Sequence, residues 1–149
     1  MMIRKAVFAD VVVLKELHDR AVLELCRNDY TPEQLQSWIE RSTLEKYYWR
    51  LETQRIFVAE KAGKILGFVR WYPETNELCS ICVEPECARQ GLGTVLMEHA
   101  CQDARDRGVD KLWLDASLTA EPFYLSLGWK KGAASTEGPL ESVRMTKEL

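Results

Sequence analysis

Several common functions have nothing to stand on in this chain. It has only two histidines, and it has no excess of basic charge, no internal repeat and no low-complexity linker. A formal net charge of -3 argues against nonspecific nucleic-acid binding, which requires a basic face. No segment approaches the ~20 apolar residues of a membrane span. Asp10 and Lys15 close off the short Val11–Leu14 run, so the N-terminus lacks the apolar core of a secretory leader. The expectation is a cytoplasmic protein with no membrane partner. Five cysteines, an odd number, do not read as a disulfide framework. Cys79-Ser80-Ile81-Cys82 followed by Cys87 has part of a zinc-site spacing. Within a strand, however, two thiols three apart face opposite sides, and His99 is the sole further ligand in view. Small buried hydrophobes are the better reading, with no metal expected.

Phosphate-binding loops of the common kinds are missing as well. Nowhere do two glycines five apart precede Lys-Ser or Lys-Thr. A dinucleotide fingerprint needs a third glycine where Leu96 stands.

What is present is ordinary in bulk. A chain of 149 residues and 17.2 kDa, 46% hydrophobic and 29% charged, predicts one domain over residues 1–149. A chain of this size buries about two thirds of its unfolded surface. The periodicity predicts a strand Ile3–Val7, then a helix from an Asp10 cap to about Arg27 with Leu14, Leu17, Ala21 and Leu25 along one face. Thr31-Pro32-Glu33-Gln34 is a second helix start, a capping box with Tyr30 stapled to Leu35. A third short helix follows Ser42 or Thr43. The pattern then turns to strands. Arg55–Lys61 and Lys64–Tyr72 form a hairpin about Ala62-Gly63, and Glu77–Val83 follows. A long helix, Gly91 to Arg107, carries Leu92, Val95, Leu96 and Ala100 inward and ends at Gly108. Strand Lys111–Ala116, a short helix Ala120–Leu127, and strands Trp129–Ala134 and Val143–Lys147 complete the chain.

Two segments carry the chemistry. Ala88-Arg89-Gln90-Gly91-Leu92-Gly93-Thr94 is a glycine-bearing turn that opens a helix. Such a turn presents unpaired backbone N–H groups, backed by the positive end of the helix dipole, and so suits a phosphate. Further along, Ala120-Glu121-Pro122-Phe123-Tyr124 leads into Gly128-Trp129. Together with Val83-Glu84-Pro85, these segments resemble the signatures of the GNAT superfamily, the Gcn5-related N-acetyltransferases, and specifically its small bacterial members. The likeness extends over essentially the whole chain. Two positions depart from the pattern. Ala88 stands where the family often has Arg or Gln, and Ser117 where many relatives have Asn.

The resemblance implies an α/β (α+β) GNAT fold. Its mixed, mostly antiparallel sheet has helices on both faces, and a splayed parallel strand pair holds the cofactor. The implied cofactor is acetyl-CoA. Its pantetheine amides would pair with the backbone of Ile81, Cys82 and Val83, as an added half-strand does. Its pyrophosphate would rest on the amides of Arg89, Gln90, Gly91, Leu92, Gly93 and Thr94, with the Ser117 hydroxyl nearby. Tyr124 is implied as the catalytic residue, donating to the leaving sulfur. A phenol near ~10 and a thiolate near ~8.5 make full proton transfer uphill by about 2 kcal/mol, so a strengthening hydrogen bond fits better than early protonation.

The other roles are less sharply marked. Glu77 and Glu84 are the available general bases, through a water. His18 and His99 read as packing residues. Cys82 has no basic neighbour in sequence to activate it, which favours direct transfer in a ternary complex over an acyl-enzyme. The acceptor region is aromatic, with Tyr30, Trp38 and Trp71 beside Glu77, and such faces with nearby acids suit a cationic amine or an aromatic acceptor. The leading expectation is acetyl transfer to a primary amine of a small molecule. The alternatives are a protein or peptide acceptor and a non-catalytic acyl-CoA sensor. A homodimer is left open.

Overall fold

The computed structural model describes residues 1–135 and 138–149. Seven strands form one sheet: β1 (Met2–Lys5), β2 (Arg55–Lys61), β3 (Lys64–Tyr72), β4 (Glu77–Val83), β5 (Lys111–Ala116), β6 (Lys130–Ser135) and β7 (Ser142–Glu148). Their order is β1-β2-β3-β4-β5-β7-β6, and every neighbouring pair is antiparallel except β4 and β5. The helices are α1 (Val11–Leu25), α2 (Pro32–Arg41), α3 (Leu44–Thr53), α4 (Leu92–Asp106) and α5 (Glu121–Ser126). This is the mixed sheet with flanking helices that the sequence predicts.

The period-two alternation of the strands divides the core into two layers. Ile56, Val58, Phe68 and Cys82 pack with Val11, Leu14 and Leu17 of α1 and Tyr47 of α3. Phe57, Ala59, Val69, Trp71 and Leu78 pack with Leu92, Leu96, Met97 and Ala100 of α4 on the opposite face. The hairpin turn sits where expected, with Ala62 and Gly63 both at positive φ. At α2 the capping box is complete: Gln34 N donates to Thr31 Oγ1, and Thr31 N donates back to Gln34 Oε1.

Some local expectations need correcting. Asp10 is not the side-chain cap of α1. Its carboxylate accepts from Val7 N and from the Arg4 guanidinium, which joins β1 to the short turn before the helix. Leu25 and Val95, both assigned to inward stripes, are 39% and 40% exposed. Leu25 lies at the last position of α1 and forms a cavity wall.

Candidate functional site

The parallel pair creates the site by failing to stay paired. β4 and β5 are in register only at Glu77↔Trp113. Trp113 also reaches back, through its N to Asn76 O and through its Nε1 to Thr75 O. Beyond that point the strands part. The β3–β4 register also shifts, from Arg70↔Ser80 to Trp71↔Leu78, leaving Cys79 as a bulge in β4. A bulge bends its strand and increases the local twist, which drives the end of β4 away from β5.

Two cavities open where the strands separate. One, about 440 Å³, lies between the end of β4, the turn before α4 and helix α5. The other, about 430 Å³, lies between α1, α2, α3 and strands β3 to β5. They share walls at Leu25, Ile81, Val83, Thr119, Ala120 and Tyr124.

The first cavity gathers most of the motif residues. Arg89, Gly91, Gly93 and Thr94 line it. Arg89 and Gly91 have φ of 62° and 85°, so the chain turns twice through left-handed backbone before α4 begins. The first intrahelical bond is Val95 N to Gly91 O. Among the described residues, none of the amides from Arg89 to Thr94 donates to a protein carbonyl, the state in which a helix start can receive an anion. The two motifs also touch. A Cβ on Gly93 would lie 3.1 Å from Cζ of Phe123, so this glycine admits the aromatic ring of α5 against the start of α4. Leu92 is buried in the α4 core and Gln90 Nε2 donates to Glu86 O, and neither residue lines the cavity.

Tyr124 stands at the junction. Its ring packs edge-on to Phe123 and Trp129, and burial pushes its phenol above the ordinary value, which keeps it protonated. Ser117 lines the second cavity, and its Oγ accepts from Ala120 N, which fixes the turn into α5. Cys82 also borders the second cavity. Burial pushes its thiol, and that of Cys79, up to about 11, so both stay protonated at neutral pH. Among the described residues no three His, Cys, Asp or Glu side chains gather as a metal ion would require.

The acceptor-side expectations fare unevenly. Trp38 lines the second cavity. Tyr30 is buried one layer behind it, edge-on to Trp38, with its hydroxyl accepting from Leu118 N. Trp71 does not reach the site at all. It is fully buried on the α4 face, with Nε1 donating to Asp103 Oδ2. Strand alternation gives the reason, since the neighbouring Arg70 takes the cavity side. Glu77 lies at the paired end of the strands, outside both cavities, and burial raises its carboxyl. Glu84 is not the solvated base considered above. It is 7% exposed and clamped by Arg20, whose Nε and Nη2 donate at 2.9 Å to its two oxygens and hold its carboxyl below the usual range.

The sequence reading missed the charge of the second cavity. Its walls carry Arg41, Lys46, Arg50 and Arg70, against the single acid Asp115, which is itself paired with Arg144. Among the described residues, no unpaired acid that would draw a cationic amine lines this cavity. His18, assigned to packing, also lines this cavity, with Nδ1 3.1 Å from Asp19 Oδ1. Burial lowers its imidazole to about 4, so the ring is neutral at pH 7. A neutral ring beside a carboxylate carries its hydrogen on Nδ1 and leaves Nε2 as an acceptor.

Comparison with known proteins identifies the family and the fold. The chain is 40% identical over 80 residues to the ribosomal protein bS18-alanine N-acetyltransferase of Escherichia coli, a match covering 50% of this chain and 54% of that protein. It thus spans about half the length of the curated relatives of that name. Over nearly the full length it superposes on a Gcn5-related N-acetyltransferase structure from Rhodopseudomonas palustris. The TM-score is 0.92 at 25% identity, covering 99% of this chain and 95% of the other. The PaiA N-acetyltransferase of Thermoplasma acidophilum, solved with coenzyme A, shares the fold at a TM-score of 0.88 and 20% identity, covering 99% and 98% of the two chains. The family description "Acetyltransferase (GNAT) domain" matches residues 26–149, and the chain belongs to the GNAT acetyltransferase family.

Proposed function

We propose that this protein transfers an acetyl group from acetyl-CoA to a primary amine of a small molecule, by direct attack within a ternary complex. The observation that carries the reading is the position of Tyr124, where a cavity edged by unpaired amides meets a second cavity edged by side chains. When bound, acetyl-CoA supplies the acetyl thioester. The amides of Arg89 to Thr94 hold an anionic diphosphate, and the backbone of Ile81 to Val83 offers strand pairing along the open edge of β4. Tyr124 keeps its proton on Oη and donates a hydrogen bond to the departing sulfur. Because burial raises this phenol, its contribution is a donor that strengthens as negative charge develops. His18 Nε2 is the uncharged acceptor nearest in character to a base on the amine side. With protonated thiols at Cys79 and Cys82, no acyl-enzyme is needed.

A second reading is acetylation of a protein N-terminus. It is favoured by the identity to the bS18-alanine enzyme over half the chain. The helices α1, α2 and α3 wall one side of a second cavity of about 430 Å³, a size that favours the small acceptor. One assay separates the two: thiol release from acetyl-CoA, scanned over free amines, amino acids and short peptides with free α-amino ends. The proposal expects turnover with free compounds exceeding that with the matching peptides. No thiol release with any acceptor, from protein that binds acetyl-CoA, overturns it in favour of a sensor.

A further inference from the structure

We infer that the acceptor carries an anionic oxygen group, a carboxylate or phosphate close to its amine, and that the guanidinium groups of Arg50 and Arg70 hold that group in the second cavity. The inference rests on the acetyl-transfer reading and adds the chemical class of the acceptor.

The cavity is built from cations that the protein does not neutralise. Among the described residues, none of Arg41, Lys46, Arg50 and Arg70 lies within ion-pairing distance of a carboxylate. The acid that lines the cavity, Asp115, is already paired with Arg144. Arg50 and Arg70 are the more deeply placed. Arg50 lies over the Tyr47 ring, 4.8 Å from its centroid. Arg70 donates from Nη1 to Gln54 Oε1. Yet Arg50 Nη1 and Arg70 Nε are both buried without a hydrogen-bond partner. Native structures rarely leave such donors unmet, and buried charge is costly unless paired.

Two neighbouring guanidiniums also repel one another, and together with burial this lowers the Arg50 pKa. Glu77, Cys79 and Cys82 are the ionisable acids of β4 that face Arg70 and Arg50, and the Cys82 thiol is protonated. Glu77 sits outside the cavity, and Cys79 is a protonated thiol. An incoming oxyanion removes the repulsion and satisfies the orphan donors together. Planar forks suit carboxylate and phosphate alike, in a way that an ammonium does not. A polyamine or aminoglycoside would meet repulsion at the same place.

Steady-state kinetics with matched amines tests the inference. The pairs are phenylalanine against phenethylamine, tyrosine against tyramine, lysine against cadaverine, and phosphoethanolamine against ethanolamine. The first three report carboxylate, the last phosphate. In at least one class, the anionic member is expected to show kcat/KM tenfold or more above its partner. R50Q and R70Q each raise KM for the anionic member about tenfold and erase the preference, while the acetyl-CoA Kd measured by calorimetry stays within twofold. R50K and R70K retain charge but lose the fork, and they keep part of the preference, which guards against a result caused by misfolding. Equal or reversed preference in the wild type overturns the inference, as does a preference that survives in an R50Q/R70Q double variant. Wild-type protein that binds acetyl-CoA but acetylates neither member of any pair also overturns it. Failure to bind acetyl-CoA removes the proposed function itself, and the calorimetry shows that separately.

Discussion

The two cavities that meet at Tyr124 are built from different materials. The proposed cofactor side is main chain: six consecutive amides, two left-handed residues, and a glycine that lets Phe123 lie against α4. The proposed acceptor side is side chain: four cations, a neutral histidine and Trp38, contributed by three helices and strand β3. Backbone recognition is nearly independent of residue identity, so one cradle serves a shared cofactor across many proteins. Side-chain recognition changes with single substitutions, so acceptor choice can diverge on an unchanged frame. The division also implies that mutations on the two sides should separate kinetically, those on one side moving acetyl-CoA affinity and those on the other moving acceptor KM.

The largest effect should fall on the residue common to both. Tyr124→Phe keeps the ring that packs on Phe123 and Trp129 and removes only the donor. A fall in kcat of about a hundredfold is expected, with acetyl-CoA affinity nearly unchanged, in line with the loss of one donor to developing negative charge. If kcat holds, Tyr124 is a packing residue and the meeting of the cavities is incidental. Next in size is Gly91→Ala. A Cβ there finds open space, but φ of 85° costs an L residue about 1–2 kcal/mol. The turn should relax, weakening acetyl-CoA up to about tenfold while leaving the KM of the acceptor alone. Parallel losses in both constants would erase the distinction between the two sides.

That distinction also explains how much could be read from sequence. The cofactor side is contiguous, so its turn, glycines and helix start appear as one string from Ala88 to Thr94. Strands β2 to β5 were bounded correctly, because alternation and turn residues are local signals. The acceptor side is assembled from residues 18 to 124, and no local pattern announces it. Trp71 looked like an acceptor residue and Arg70 did not, since alternation fixes opposite faces without saying which face holds the cavity. One clue was present. Lys46 and Arg50 stand four apart on α3, a like-charge pair that destabilises a helix, and no acid lies three or four residues from either. A helix carrying that unrelieved cost is one whose charges have another purpose. His18 gave no such sign, because an imidazole on an apolar stripe looks the same whether it faces a core or a cavity.

His18 offers a smaller test, through pH. Its imidazole is at about 4 in the folded protein against about 6.5 when unfolded. Between those values the unfolded chain binds a proton that the folded chain refuses, so stability falls as pH drops from 6.5 toward 4 and changes little from this group below that. At pH 5.5 the loss is on the order of 1 kcal/mol relative to neutral pH. Denaturant unfolding of His18→Phe against wild type should show a shallower slope across this window. Identical slopes would mean that water reaches the ring, making the acceptor cavity wetter and less selective than its lining implies.

The smallest effect is expected at Cys82, and its smallness is informative. The thiol borders the second cavity, 3.4 Å from Ser80 Oγ, on the strand that the pantetheine chain would follow. A nucleophilic cysteine needs a depressed pKa, supplied by a cation, an imidazole or a helix N-terminus. Here burial outweighs the nearby Arg70 and Arg50, and the thiol is pushed up to about 11. Cys82→Ala should therefore hold kcat within about threefold and cost on the order of 1 kcal/mol in stability, as a small cavity does. Initial-rate patterns should intersect, as direct transfer requires, in both proteins. Parallel lines with loss of activity in the variant would instead put an acyl group on this sulfur, and the cations beyond it would then be positioned to activate a thiolate.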